Sequence, residues 1–159
     1  SRGLGDVYKR QDALRDGAGL AETAAAARRT AGAIGSVFIV QAIELARRGG
    51  RYGDRLDDAA DRIPVLAYRG GDLEVVAMVD DVGDAAAVMA DFALGWGTDL
   101  RVALATADAA TAPVEAAMKA RLVDAPELDE IVHYRVGPSV AAHTGADTAG
   151  LFVYSRTRD

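Results

Sequence analysis

Short apolar runs rich in β-branched residues alternate with helical segments along most of the chain, and this order constrains its fold more than any other feature. The segments with helical periodicity are 20–33, 41–48, 80–93 and 108–123. The strand-like runs are 36–40, 63–68, 73–79, 100–105, 128–136 and 151–154. Gly70 and Gly71 separate two adjacent strand runs, which predicts a hairpin. Interleaved helices and strands predict an α/β fold, a mixed sheet covered by helices.

Composition excludes several classes of protein. The net charge of -6 over 159 residues argues against a nucleic-acid binder, which needs a basic face. The chain contains no cysteine, which removes disulfides, thiolate metal sites and thiol nucleophiles. No apolar run approaches the roughly 18–20 residues of a membrane span, and no leader with an apolar core is visible. We therefore expect a soluble, cytoplasmic protein that has no membrane span.

The first eleven residues, SRGLGDVYKRQ, are basic in a chain that is otherwise acidic and alanine-rich. They resemble translated adapter sequence from metagenomic assemblies, which would make them non-native. A natural, disordered N-terminus is the alternative. In either case we expect one α/β domain over residues 12–159.

His143, one of only two histidines, lies in the turn-rich stretch GPSVAAHTGADTAGLF. A functional interpretation makes His143-Thr144-Gly145 a ligand site, because imidazole donates and accepts hydrogen bonds and glycine lets the backbone approach closely. The alternative is a surface histidine at the end of a short helix that follows Gly137-Pro138. Spacing alone favours this structural alternative.

Three other features are weaker. Arg51 ends the run RRGGR, which is either an anion site or a charged helix end stopped by glycines. The aspartates at 54, 57, 58 and 61 lack the spacing of a calcium loop and indicate a solvated loop. His133 lies within a strand pattern and has no predicted role. No nucleotide-binding loop, nucleophile elbow or zinc motif is present, so we predict neither a catalytic residue nor a metal site.

Four segments together resemble the DegV family of bacterial fatty-acid-binding proteins. In chain order they are LRDGAGLAETAAAA, FIVQAIELARRGGR, RIPVLAYRGGDLE and VGPSVAAHTGADTAGLFV. Their order and spacing match over residues 13–156, and the H-T-G run is the most specific element. The resemblance implies a DegV-like C-terminal α/β domain, the half that follows an N-terminal lipid-binding domain which this sequence lacks.

The resemblance also implies a function. His143 would contact the carboxylate of a long-chain fatty acid, with Thr144 and Gly145 at the same site and Arg51 orienting the site or pairing with that carboxylate. The acyl chain would occupy an apolar tunnel between two domains. Such proteins present the carboxylate to a separate ATP-dependent fatty acid kinase. They use no cofactor and are not enzymes.

Two departures from the family pattern bear on this function. Asp80 and Asp81 stand where the family commonly carries an arginine thought to dock the kinase, so kinase coupling is in question. Ala146 and Asp147 replace the usual proline and glycine after H-T-G. The alternative function is a phosphotransfer or kinase-like enzyme domain using His143, which requires an activating carboxylate such as that of Asp147. A truncated fragment with a structural histidine is a third interpretation.

Overall fold

The computed structural model describes residues 15–48, 62–69 and 72–156. Within these ranges the helices are α1 Leu20–Ala33, α2 Ile43–Arg48, α3 Val82–Leu94, α4 Ala112–Leu122 and α5 Pro138–Thr144. The strands are β1 Gly35–Ile39, β2 Ile63–Arg69, β3 Asp72–Val79, β4 Leu100–Thr106, β5 Leu128–Arg135 and β6 Ala149–Ser155. The predicted segment 1–11 and the acidic stretch 54–61 lie outside the described residues.

The six strands form one mixed sheet in the order β3-β2-β1-β6-β4-β5. Only β4 and β5 pair in parallel, and the other neighbours are antiparallel. At one end of the strands, which we call the top of the sheet, β1, β3, β4 and β5 therefore finish and β2 and β6 begin. The predicted α/β fold with a mixed sheet is confirmed.

One face of the sheet, the first face, carries the main core. Leu104, Leu151 and Val37 lie in one row across β4, β6 and β1, and they pack with buried residues of α3 and α4. The inner side of α3 is largely alanine, so its backbone can approach the sheet closely. Met89 and Met118 fill the remaining space and are fully buried.

The opposite face, the second face, has a smaller core. Leu66, Val40 and Leu73 form its buried cluster, and Ile43 of α2 packs against them. Helix α1 contacts β6, and its end is bonded to Trp96, a residue that packs against the core of the first face: the indole N–H donates to the carbonyl of Ala33. The predicted hairpin is confirmed, because Tyr68 of β2 pairs with Leu73 of β3.

Helix α3 begins after its N-cap Asp81, whose carboxylate accepts from the N–H groups of Gly83 at 2.7 Å and Asp84 at 2.9 Å. Asp81→Ala should lower the free energy of unfolding by about 1 kcal/mol, because both N–H groups lose their acceptor. Thermal unfolding followed by circular dichroism measures this loss. Asp80→Ala is the matched control, because it removes only an exposed ion pair with Arg62 and should cost about 0.5 kcal/mol or less. Equal losses in the two variants would contradict the cap.

Candidate ligand-binding site

The H-T-G run ends helix α5. Gly137 is the N-cap, Pro138 occupies the first turn, and His143 lies in the last turn. Gly145 follows with φ 89° and ψ 167°, a backbone conformation that is essentially restricted to glycine. Its N–H donates to the carbonyl of Ala141 at 2.8 Å and closes the helix. The glycine is therefore required by the turn that leads from α5 to β6.

Two buried threonine hydroxyls fix this turn. Thr144 Oγ1 donates to the carbonyl of Val140 at 3.1 Å, and Thr148 Oγ1 donates to the carbonyl of Gly145 at 2.9 Å. A hydroxyl has one proton, so the proton of Thr144 is committed within the helix. Thr148 was not singled out from the sequence, although threonine hydroxyls often bond to nearby backbone groups in turns.

The turn is also joined to the end of β1. Gln41 Nε2 donates to the carbonyl of Asp147 at 3.3 Å, and Ile39 pairs with Ala149 across β1 and β6. Helix α2 packs against α5. The start of α2 and the H-T-G turn therefore meet at the top of the sheet. Gln41 carried no signal in the sequence, because its partner lies 106 positions away.

The imidazole of His143 is half-buried at this position. Over the ranges that the structure describes, it makes no hydrogen bond or ion pair. Within the same ranges, no hydrogen bond or ion pair joins it to the carboxylate of Asp147. Among the described residues, neither ring nitrogen has a polar partner.

The second face of the sheet carries a row of small and apolar side chains, which we call the strip. Residues that pair across strands share a face, and Phe38, Gly150, Ala105 and Tyr134 lie in one row across β1, β6, β4 and β5. Gly150 and Ala105 place almost no side chain between the two aromatic rings. The ring of Tyr134 packs against that of Phe152 in the next row, with the ring centroids 5.8 Å apart and the planes tilted by 35°. Burial raises the pKa of Tyr134 well above its usual range, so its phenol stays neutral and the strip carries no charge.

The other sequence candidates lie elsewhere. Arg51 is outside the described residues, so its predicted role in the site stays a prediction. Arg48 pairs with Glu44 at 3.1 Å, which fits the charged helix end. His133 contacts Glu115 of α4 on the first face of the sheet.

Two further searches cover only the described ranges. No helix there is long and apolar enough to cross a membrane. In those ranges, no group of three or more histidine, aspartate and glutamate side chains is arranged to hold a metal ion.

Comparison with known proteins identifies the family. A family model described as an uncharacterised protein of the DegV family matches residues 6–156. No curated protein sequence matches the chain.

Solved structures share the fold at low identity. A DegV family protein from Corynebacterium glutamicum has 19% identity and a TM-score of 0.83, over 97% of this chain and 60% of its own. A DegV family protein from Thermus thermophilus, described by its fatty acid binding, has 22% identity and a TM-score of 0.84, over 94% of this chain and 55% of its own. A fatty acid binding DegV family protein from Streptococcus agalactiae has 19% identity and a TM-score of 0.77, over 96% and 55%.

The chain thus spans 55–60% of the length of these three structures. The family model, by contrast, covers nearly all of this chain. The resemblance predicted from the H-T-G run and its companion segments is confirmed: the chain belongs to the DegV family.

Proposed function

We propose that the chain binds a long-chain fatty acid, with the carboxylate at His143 and the acyl chain on the second face of the sheet. The observation that supports this proposal is a half-buried imidazole without a hydrogen-bond partner in the described ranges, in the helix α5 that precedes β6, the strand that contributes Gly150 to the uncharged strip. The described fatty acid binding of the Thermus thermophilus and Streptococcus agalactiae proteins supports the same ligand class.

The two ends of such a ligand have different requirements. Each methylene removed from water contributes roughly 0.8 kcal/mol, so the acyl chain needs apolar surface such as Phe38, Ala105 and Phe152. A buried carboxylate needs donors, because an unpaired charge is costly to bury. His143 would be one donor, and Arg51 is proposed as the second.

Thr144 and Gly145 would act mainly through the shape of the site. Thr144 can donate to a carboxylate only if its hydroxyl leaves the carbonyl of Val140. In our proposal it lines the site and holds the last turn of α5, while Gly145 directs the chain away from the head group.

A separate ATP-dependent kinase remains the proposed recipient of the carboxylate, and phosphoryl transfer would belong to that kinase rather than to this chain. Asp80 and Asp81, at the top of the sheet, oppose kinase docking less than the sequence alone implies. Asp80 pairs with Arg62 at 2.9 Å, and Asp81 caps α3. Much of their charge is thus locally compensated. We also retain as a proposal that residues 12–159 form one half of a two-domain binding protein.

The alternative phosphotransfer function has less support. A histidine that accepts phosphate needs an activating carboxylate, and within the described ranges none contacts His143. The histidine that does contact a carboxylate is His133, which contacts Glu115 on the first face of the sheet.

His143→Ala should weaken palmitate binding by about 10- to 100-fold, because a charge-assisted hydrogen bond contributes about 1.5–3 kcal/mol. Isothermal titration calorimetry of the full chain measures the affinity, and circular dichroism checks the fold. His133→Ala is the matched control and should bind as the parent does. Equal weakening by both variants, or an unchanged affinity of His143→Ala, would refute the assignment of the head group.

A further inference from the structure

The floor of the second face changes in character along β4 and β6. At the centre of the strip, the two strands place small residues side by side. With increasing distance from the turn after α5, the second-face pairs of these strands are Gly150 with Ala105, Phe152 with Ala103, and Tyr154 with Arg101. The floor is thus lined by small side chains at the first pair, by a phenylalanine beside an alanine at the second, and by a charged side chain at the third.

The third pair marks a polar boundary. Arg101 contacts Glu130 at 3.2 Å and Asp129 at 3.7 Å. Asp129 also accepts from Arg156 at 3.0 Å. Covering these ion pairs with hydrocarbon would take charged groups out of water, which is costly. The apolar floor available to an acyl chain therefore ends before Arg101.

Two aromatic rings cross this floor before the boundary is reached. Tyr134 of β5 and Phe152 of β6 are separated by β4, and since neighbouring strands lie about 4.8 Å apart, their strands are roughly 10 Å apart. The ring centroids are only 5.8 Å apart. The rings therefore lean toward each other over β4, where the methyl groups of Ala103 and Ala105 leave room. We call Tyr134 and Phe152 the ring pair.

The floor is already covered on the side of β1. Phe38 and Tyr68 stack there with their ring centroids 6.1 Å apart. Ser36, which pairs with Phe152 across β1 and β6, is only 8% exposed. On β4, by contrast, Ala103 is partly exposed. An acyl chain that continues beyond the strip over β4 therefore meets the ring pair.

We propose that Phe152, held in place by Tyr134, limits the length of the acyl chain that this surface accepts. The inference rests on the proposed fatty acid binding and adds to it a residue that determines chain-length specificity. In that proposal the head group lies at His143, in the helix before β6, so the methyl end of the ligand is the part that reaches the ring pair. Methylenes beyond the pair stay in water and add no hydrophobic contribution to the affinity.

Competition among laurate, palmitate and arachidate for the full chain, measured by native mass spectrometry, tests the proposal. Because the three acids differ only in length, their relative occupancy does not depend on how much of the protein is folded. Phe152→Ala opens the floor over Ala103 and should raise the ratio of bound arachidate to laurate at least about tenfold, the factor for about two further buried methylenes. Phe152→Leu keeps an apolar side chain and should shift the ratio in the same direction by less.

Phe92→Ala is the matched control, because it removes the same ring from the core of the first face, where Phe92 packs against Trp96 with the centroids 5.4 Å apart. It should leave the ratio unchanged. If both Phe152 variants keep the ratio of the parent, or if Phe92→Ala shifts it equally, the chain-length role is overturned while fatty acid binding stands. A folded parent that takes up none of the three acids would instead refute fatty acid binding itself, and this inference with it.

Discussion

Replacing Gly150 with valine should lower the free energy of unfolding by about 3 kcal/mol, the upper part of the range for overpacked cores. Gly150 lies in β6 between β1 and β4, at the centre of the sheet. A Cβ there would lie 2.5 Å from the carbonyl oxygen of Val37 and 2.7 Å from the Cα of Phe38. Because these are backbone atoms of a paired strand, they cannot move without breaking the pairing of β1 and β6.

Chemical denaturation followed by circular dichroism measures this loss. The control is Gly32→Ala, at an exposed position of α1 where an added Cβ would meet no atom within 4 Å. It should raise the free energy of unfolding by about 0.5–1 kcal/mol, because alanine favours helix over glycine. A Gly150→Val protein as stable as its parent would show that β1 and β6 do not pair in this register.

Gly145→Val should lower the free energy of unfolding by about 2–3 kcal/mol, because a β-branched residue at φ 89° and ψ 167° is strained. The strain acts at the last turn of α5, so His143 should also lose its orientation and palmitate should bind more weakly. Stability and affinity should therefore fall together.

Ala146→Val is the matched control for this variant. Ala146 is the next residue and is exposed, and its substitution should change the free energy of unfolding by no more than about 0.5 kcal/mol. Denaturation and calorimetry on both variants separate backbone strain from added side-chain volume. Comparable losses at residues 145 and 146 would contradict the glycine-specific turn.

The elements of the fold could be predicted because their signals are local. Alternating and helical periodicities and the hairpin between β2 and β3 depend on residues close together in the sequence. The order of the strands could not be predicted in this way, since β6 at the end of the chain lies between β1 and β4.

The candidate site was predictable only in part, for the same reason. The H-T-G run located the turn, but not the donation from Gln41 to the carbonyl of Asp147, which joins residues 106 positions apart. Nor did the sequence indicate that the Thr144 hydroxyl donates within α5. It also did not indicate that the backbone of β1 lies too close to Gly150 for a side chain. Such contacts depend on the packing of distant segments, which no local pattern encodes.

Native mass spectrometry of the purified full chain, before and after addition of palmitate, tests the central claim most directly. The proposal predicts a mass increment of one fatty acid per chain, which is retained in His133→Ala and reduced in His143→Ala. A folded chain that carries no fatty acid at saturating palmitate would contradict the proposed function. The same holds for a fatty acid bound equally well without His143.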